Sequence, residues 1–401
     1  MTCNLEKNKG VSVKSLPLGG EGASLQFITL AGNKPEQLAE HAALLQKAEK
    51  SGLQWVGPEV YGSADLDLSP VPGAGLTAVL GTKTGASFYR GMQICAVEGG
   101  NARTIEFNGR SAGVFYEDEY AEYAVLGGLS PRDRTAGRTE QTLDVFRQME
   151  EALNRTGMDF SHVVRTWFYN NSLLDWYEEF NRARDIFFAS RGVFDRLVPA
   201  STGIGSGNRE NAALLARAFA IRPKSGRVTV KDIPSPLQCS AQDYRSSFSR
   251  AVEVDHLLFR QVIVSGTASI APGGESLHPG DIDRQTELSL DVIEAILKSR
   301  GMGWKDVVRA VAYFKDKDYA SHYGKIALRR GLSIMPSSAI LFCRAARTAC
   351  YPAPAHLVEA SWILCSRCRK TSVFPAYRNI SLPCSPRTAA CWWSASSPGA
   401  M

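Results

Sequence analysis

The nine residues Gly157-Met-Asp-Phe-Ser-His-Val-Val-Arg165 occur a second time, with changes, as Gly301-Met-Gly-Trp-Lys-Asp-Val-Val-Arg309. The spacing between the copies is a constant 144 residues, and Tyr169 and Tyr313 keep the same register farther along the chain. Similarity at a fixed spacing indicates one structural unit that is used twice. The repeat is therefore the basis for predicting the fold.

Each copy predicts a helix before the shared segment and a β-strand after it. Residues 139–156 and 285–300 place apolar side chains three and four positions apart, which is typical of amphipathic helices. Gly157 and Gly301 follow these helices directly and are suited to C-caps. The β-rich runs that come next are Val163–Tyr169 and Val307–Phe314.

The same order of elements continues on both sides of this core. Strands are predicted upstream at 123–130 and 261–268, second helices at 173–188 and 319–330, and strands led by proline at 198–202 and 335–339. With a hairpin at the front, each copy predicts a mixed sheet that has helices packed on one face. The predicted fold class is α+β, with two tandem domains of this type, an N-terminal α/β extension and an irregular C-terminal tail.

The domain boundaries follow from the repeat and from composition. Residues 1–100 are predicted as an N-terminal extension that packs on the first domain, and 101–222 as the first domain. A linker with Pro234 and Pro236 is expected at 223–244. Residues 245–342 form the second domain and 343–401 the tail.

Charge and hydropathy argue against nucleic acid and membrane as partners. The 401 residues carry 46 basic and 40 acidic side chains, but seven of the basic and one of the acidic ones lie beyond position 342. The first 342 residues are therefore neutral overall and offer no net attraction for phosphate. No stretch reaches the roughly 18 apolar residues of a membrane span, and Met1–Gly22 has no apolar signal-peptide core. We expect a cytoplasmic protein with reduced cysteines.

The last 59 residues, from Cys343 on, differ in composition from the rest of the chain. They hold six of the nine cysteines, three of the seven tryptophans, six prolines and a single glutamate, without a helical or alternating pattern. This mixture is unlike a typical disordered tail and is closer to a coding sequence read out of frame. We expect an irregular tail and a doubtful closing strand for the second domain. Cys365 and Cys368 lack a second pair at zinc-binding spacing, so neither a metal nor a cofactor is expected.

The second copy, over about Ser246–Ser338, resembles the Rid (YjgF) superfamily. The resemblance lies in Ser247–Val252, Val262–Gly266, the helix through Leu297, Val307–Val311 and Pro336. It implies a chorismate-mutase-like fold, clefts between the subunits of a trimer, and hydrolysis of enamines and imines. Two copies in one chain imply a homo-oligomer that is a trimer or a pseudo-trimer.

One family feature is absent. In Rid proteins a strand led by proline presents an arginine to the substrate carboxylate, and arginine suits this because its planar fork binds both oxygens. The aligned positions here are Ser338 and, in the first copy, Ser201. The missing arginine counts against simple imine deamination.

A narrower resemblance links the chain to the two-domain chorismatases. The first copy has their Arg-Thr-Trp-x-Tyr strand, Tyr-x-x-Phe-x-x-x-Arg helix and Pro-Ala-x-Thr-Gly-Ile-Gly run, and the second copy is similar around Ser265–Ile270 and His278–Gln285. This resemblance implies a substrate site made of Arg165, Trp167, Tyr169, Tyr177, Arg184, Thr202, Gly203, Gly205, Ser265 and Thr267.

The implied reaction is cleavage of the enolpyruvyl ether of chorismate, which releases pyruvate. A small dicarboxylate substrate needs cationic donors, and Arg165 and Arg184 are the candidates. An enol ether is protonated at its methylene carbon, which requires a carboxylic acid with a raised pKa. The family places this glutamate on the last strand of the second half. Here that strand falls in the irregular tail, where Glu359 stands in an unpatterned context, so the catalytic residues stay unassigned.

Several of these residues also have plain structural explanations. Trp167 on an alternating strand fits a core side chain, and the counterpart of Arg165 at Arg309 favours a structural role for both. Arg184 on an amphipathic helix is typical of a surface residue. The run 202–205 fits a turn or bulge that needs glycine, or backbone N–H groups around an anion.

Three functions remain open at this point. The first is a chorismatase-like hydrolase or lyase, and the second is a Rid-type enamine or imine deaminase with an altered acid-binding site. The third is a non-catalytic module for ligand binding or assembly. A shared fold does not separate them.

Overall fold

The computed structural model describes most of the chain between residues 10 and 368. The described residues are 10–19, 23–55, 58–63, 66–71, 78–80, 88–208, 210–244, 246–271, 275–314, 318–332, 337–339 and 359–368. These form three six-stranded sheets and five α-helices. None of the helices in this part of the chain is long and apolar enough to cross a membrane.

The N-terminal unit, residues 11–98, builds the first sheet. Its elements are β1 (Val11–Pro17), β2 (Ser24–Ala31), α1 (Gln37–Glu49), β3 (Leu53–Trp55), β4 (Glu59–Gly62), β5 (Ala78–Leu80) and β6 (Tyr89–Glu98). The strand order is β1-β2-β6-β4-β5, with β3 also paired to β6. Strands β4 and β5 are parallel, whereas the other neighbours are antiparallel.

The first unit, residues 103–223, builds the second sheet. Its elements are β7 (Arg103–Phe107), β8 (Arg110–Glu117), β9 (Ala121–Leu129), α2 (Arg138–Asn154), β10 (Val163–Asn170), α3 (Tyr177–Ser190), β11 (Ala200–Gly205) and β12 (Leu214–Pro223). The order is β11-β10-β12-β9-β8-β7, and only β10 and β11 are parallel among these strands.

The second unit, residues 228–368, builds the third sheet. Its elements are β13 (Val228–Ile233), β14 (Ala251–His256), β15 (Phe259–Val264), α4 (Ile282–Lys298), β16 (Val307–Phe314), α5 (Tyr319–Arg329), β17 (Ser337–Ala339) and β18 (Glu359–Cys368). The order β13-β14-β15-β18-β16-β17 follows the same path as in the first unit. Pro336, which the sequence places at the start of the last predicted strand, lies outside the described residues.

The N-terminal unit follows this path too. A hairpin leads into a helix, the next strand pairs in parallel with its successor, and the last strand inserts between hairpin and parallel pair. The expectation of a separate extension is therefore corrected to a third sheet of the same order. The sequence does not show this relationship, because the unit has no counterpart of the shared nine residues and only one helix among its described residues.

Two strands lie where the sequence predicted irregular structure. Strand β13 occupies part of the expected linker and pairs with β14. Strand β18 lies in the expected tail and fills the gap between β15 and β16, pairing with both. The backbone explains this difference, since a gap between two strands presents unpaired N–H and C=O groups that a further strand satisfies whatever its side-chain pattern.

The glycines of the shared segment have the backbone that the C-cap prediction requires. Gly157 and Gly301 have φ of +77° and +68°, which favours glycine over other residues. The following N–H groups then turn back to the helices: Met158 donates to the Leu153 carbonyl at 3.2 Å, and Met302 donates to the Leu297 carbonyl at 2.9 Å. The two helix ends are thus terminated in the same way.

The three sheets share one central core. On its helix-covered face each sheet has an apolar cluster of its own. A further cluster draws buried side chains from all three units, including Phe27, Trp167, Tyr169, Val254 and Tyr313. The sheets therefore meet with their helix-free faces inward, and the alternation of each strand decides which side chains enter the shared core.

Candidate functional site

Strand β10 carries three of the expected site residues into the shared core. Arg165, Trp167 and Tyr169 are separated by two positions, so they lie on one face of the strand, and all are buried. The Arg165 guanidinium lies 4.9 Å from the centre of the Trp167 ring, within cation–π range. Arg165 Nη2 also donates a hydrogen bond to the Thr202 hydroxyl. The structure thus brings Arg165, Trp167 and Thr202 together.

The parallel pairing of β10 and β11 explains this contact. Thr202 stands opposite Trp167 in the ladder, and Arg165 stands opposite Ala200, one step along on the same face. Because 202–205 belongs to a regular strand, the prediction of a turn or bulge that needs glycine was wrong. Neither Gly203 nor Gly205 has a positive φ, and a Cβ on Gly203 would meet its nearest atom at an ordinary 3.9 Å.

Ser265 and Thr267 lie at the contact between the first and second units. The Ser265 hydroxyl accepts a 2.9 Å hydrogen bond from the Ser201 N–H and donates to the Ser249 carbonyl. Thr267 donates to the Ser265 carbonyl at 3.0 Å. Both hydroxyl groups are buried and use these bonds within the protein, which favours a structural role beside the substrate-binding one inferred from the resemblance.

Gly266, between these two residues, also makes a close approach across the contact. Its N–H donates to the Ser201 carbonyl at 3.0 Å. A Cβ at this position would lie 3.3 Å from the Thr202 hydroxyl oxygen, which is tighter than most real Cβ contacts. The small residue lets the second unit come close to the side chain that holds Arg165.

Helix α3 supplies the other two predicted residues. Tyr177 is 41% exposed, and its hydroxyl lies 3.2 Å from that of Ser246 in the second unit. Arg184 is only 3% exposed, so its interpretation as a surface residue was wrong. The segment around Ser246 and Ser247 covers this side of α3, where the Ser247 hydroxyl donates to the Asp185 carboxylate.

The Arg184 guanidinium is held mainly by neutral groups. Nη2 donates to the Asn181 side-chain oxygen at 2.7 Å, and the group lies 5.4 Å from the Phe180 ring centre. Burial lowers the pKa of Arg184 from its usual value. Arg184 is bonded to Asn181 on its own helix, whereas Arg165 is bonded to Thr202, so the predicted residues fall into two groups.

A buried ionic network that sequence reasoning missed lies in the shared core. The Glu59 carboxylate forms ion pairs with Arg217 and with Arg309, and it accepts a 2.6 Å hydrogen bond from the Tyr61 hydroxyl. Gln93 accepts a 2.8 Å bond from Arg309 Nε. Each unit contributes, since Glu59 comes from β4, Arg217 from β12 and Arg309 from β16.

This network reaches the predicted residues through Trp167. The Arg217 guanidinium lies 5.8 Å from the Trp167 ring, which Arg165 also approaches. Burial, with the neighbouring Arg309 charge, lowers the pKa of Arg217 to about 9, so this side chain remains charged at neutral pH. The sequence signal was a glutamate within the strand-like run 59–62, but its partners lie 158 and 250 positions away.

Three tyrosines occupy equivalent positions in the three units. Tyr61, Tyr169 and Tyr313 each form the last or last-but-one step of a parallel strand pair, and all are buried. Burial raises the pKa of Tyr169 well above its usual value, and the nearby Tyr313 and Tyr61 add to this effect. Tyr169 therefore stays a neutral phenol, and its hydroxyl has no hydrogen-bond partner among the described residues.

Strand β18 brings a carboxylate-bearing residue to the same unit as Tyr313. In the antiparallel ladder between β16 and β18, Glu359 is the residue paired with Tyr313. The strand also runs close to β11, which carries Thr202. Glu359 thus begins the closing strand of the second unit, in the position that the first unit fills with Leu215 opposite Tyr169.

Comparisons with known proteins agree with this arrangement. Residues 240–337 match the family model described as Endoribonuclease L-PSP. A solved structure of a chorismatase superposes with a TM-score of 0.55 at 17% identity, covering 78% of this chain and 92% of that one, which shows a shared fold. The chain is therefore similar to a chorismatase in fold, and its residues 240–337 are similar to the family of that model.

The chain is also similar in sequence to curated proteins. The 3-hydroxybenzoate synthase of Streptomyces hygroscopicus is 31% identical over 209 residues, 47% of this chain and 57% of the relative. A RutC family protein of Pyrococcus abyssi is 35% identical over 74 residues, 18% of this chain and 55% of the relative. The chain spans a little over half the length of each of these curated relatives.

Proposed function

We propose that this protein cleaves the enolpyruvyl ether of chorismate, or of a closely similar cyclic dicarboxylate, and releases pyruvate. The observation that carries the proposal is the Arg165, Trp167 and Thr202 cluster on β10 and β11. It combines a buried cation, an aromatic face and a hydroxyl group, which are the groups a ring-bearing carboxylate needs. The named relatives, a chorismatase and a 3-hydroxybenzoate synthase, support the substrate class.

The chemistry requires an acid, and the proposal assigns this role to Glu359. The acid protonates the methylene carbon of the enol ether, which leaves an oxocarbenium ion. Water then attacks the neighbouring carbon, which bears the ether oxygen, and the resulting hemiketal collapses to pyruvate and the ring alcohol. The position of Glu359 at the start of the closing strand supports this assignment, since the resemblance to chorismatases implies a glutamate on that strand.

Tyr169 is the candidate for holding the substrate near this acid. Its hydroxyl is a neutral hydrogen-bond donor at physiological pH, because burial raises the pKa of Tyr169. It is buried on the same strand face as Arg165 and next to Tyr313. We assign it a donor role toward a substrate oxygen, and Arg184 a role toward a substrate carboxylate.

Two ring products are compatible with pyruvate release. Addition of water gives a dihydroxylated cyclohexadiene carboxylate, whereas loss of the ring hydroxyl as water gives 3-hydroxybenzoate and consumes no water overall. The test is to incubate the full chain with chorismate, to measure pyruvate enzymatically and to identify the ring product by chromatography. Pyruvate and one ring product in equal amounts support the proposal. Absence of pyruvate, with ketimine turnover instead, contradicts it and favours a Rid-type deaminase.

A further inference from the structure

Two buried arginines belong to the two segments that meet where α3 contacts the start of the second unit. Arg184 on α3 is 3% exposed, and Arg250, which directly precedes β14, is 7% exposed. Helix α3 and the segment before β14 are joined by the Tyr177–Ser246 contact and by the Ser247–Asp185 hydrogen bond. Arg250 lies in the segment Ser247–Val252 that resembles Rid proteins, but the resemblance assigned it no role.

Neither guanidinium has an ion pair among the described residues. Arg250 Nε donates to the Cys239 carbonyl at 2.9 Å, and its charged group lies 5.2 and 5.5 Å from the ring centres of Tyr244 and Phe248. Arg250 Nη2 and Arg184 Nε are both buried without a hydrogen-bond acceptor in this part of the chain. The remaining contacts of Arg184 are to Asn181 and Phe180.

This situation differs from that of two other buried arginines, Arg217 and Arg309. Arg217 and Arg309 share the Glu59 carboxylate, which offsets the cost of removing their charges from water. A buried charge without such a partner is costly. The cost at Arg184 and Arg250 is therefore understandable when the partner is an anion that arrives from outside the chain.

Tyr244 interacts with both arginines. It stacks within reach of Arg250, and it is also among the groups whose charge acts on Arg184, together with Tyr177 and Asp185. Burial raises the pKa of Tyr244 to about 12, so the phenol is neutral and does not compensate either cation. Asp185 contributes one negative charge and accepts the Ser247 hydroxyl, which leaves this cluster with an excess of positive charge.

We propose that Arg184 and Arg250 form a two-sided clamp for a carboxylate of the bound ligand, with Tyr244 beside it. The planar carboxylate suits guanidinium groups, which bind both oxygens at once. The rings of Phe180, Tyr244 and Phe248 suit a carboxylate attached to a ring. That the ligand is the substrate rests on the proposed function. Carboxylate binding itself is measurable without turnover.

The test uses the full chain with benzoate, benzamide and inorganic phosphate as probes in titration calorimetry. Benzoate is expected to bind, whereas the uncharged benzamide is not. Arg184→Met and Arg250→Met should each weaken benzoate binding by at least about tenfold, as expected for a lost charge-assisted hydrogen bond, and Arg250→Lys should restore part of it. Because both contact one anion, the double variant should lose less than the product of the single losses.

Arg330→Met is the matched control. Arg330 forms ion pairs with Glu287 and Asp291 on α4, away from the clamp. This variant should melt at a lower temperature but bind benzoate within about twofold of the wild type. Without ligand, Arg250→Met should melt at or above the wild-type temperature, since it removes an uncompensated buried charge.

Four outcomes would overturn the clamp. They are absence of benzoate binding to the wild type, equal binding of benzamide, tighter binding of phosphate than of benzoate, and a benzoate affinity of Arg250→Met within twofold of the wild type. The two proposals fail separately. Benzoate binding that depends on Arg250, without pyruvate release from chorismate, keeps the clamp and rejects the proposed reaction. Pyruvate release that is unaffected by Arg250→Met keeps the proposed reaction and rejects the clamp.

Discussion

The backbone N–H of Ser201 donates a 2.9 Å hydrogen bond to the hydroxyl of Ser265, and this bond joins β11 of the first unit to the second unit. The same hydroxyl donates onward to the Ser249 carbonyl. Gly266 returns a bond from its N–H to the Ser201 carbonyl. The strand that carries Thr202 is thus positioned from both sides, by β10 within its sheet and by the second unit across the contact.

Ser265→Ala should lower the free energy of unfolding by about 1–3 kcal/mol, because it leaves buried groups of Ser201 and Ser249 without their partner. Urea unfolding measures the change. Ser269→Ala is the control, since Ser269 makes one recorded side-chain bond, to the Leu277 carbonyl at 3.0 Å. An unfolding free energy for Ser265→Ala no lower than that of the control would contradict the bridging role.

Gly266→Ala should reduce the affinity for substrate more than it reduces stability. The added Cβ would stand 3.3 Å from the Thr202 hydroxyl oxygen, so Thr202 must move away and its contact with Arg165 must change. The measurement is KM together with the melting temperature. Gly226→Ala, where an added Cβ meets nothing within 4 Å, is the control. Equal KM values for the two variants would show that the close approach does not shape the site.

Glu59→Gln should destabilise the fold by about 3–5 kcal/mol, because it leaves Arg217 and Arg309 as buried charges without a carboxylate. Chemical unfolding measures the loss. Glu122→Gln removes the carboxylate that pairs with Arg222, a side chain that is 35% exposed, and should cost less than about 1 kcal/mol. Similar losses in both variants would mean that the network does not hold the three units together.

Stability below pH 5 should report on Asp118. Burial alone would raise the pKa of this carboxyl, but hydrogen bonds from His256 and from the Ala121 and Tyr120 N–H groups lower it below its usual value. Because the pKa is lower in the folded state, the ionised carboxylate stabilises the fold at pH values above the pKa of the unfolded state, about 3.9. This contribution is lost as the pH falls from there through the pKa of the folded state. The stability difference between wild type and Asp118→Asn should therefore shrink below about pH 4. A difference that stays constant down to pH 2 would contradict the assignment.

The parts of the fold that depend on local pattern were readable from the sequence. The helices around Leu153 and Leu297 and their glycine ends follow from spacing and from the need for a positive φ. The face shared by Arg165, Trp167 and Tyr169 follows from strand alternation. These features require no knowledge of the distant partners of each residue.

Features that depend on distant contacts were not readable. The exposure of Arg184 depends on a segment more than 60 positions later that covers α3. The pairing of Glu59 joins three units, and the unit that carries Glu59 has no counterpart of the nine shared residues. Strand β18 has a position fixed by the gap between β15 and β16 and not by its own pattern. Tertiary context therefore decided these outcomes over local preference.

The kinetics of pyruvate release from chorismate by wild type and Glu359→Gln test the central claim most directly. Glutamine keeps the size of the side chain but cannot deliver the proton, so kcat should fall by roughly 10²–10⁴-fold while KM changes little. Glu275→Gln, in the loop before α4, is the control and should retain wild-type kcat. A kcat of Glu359→Gln equal to that of the wild type, or a wild type that releases no pyruvate, would contradict the account.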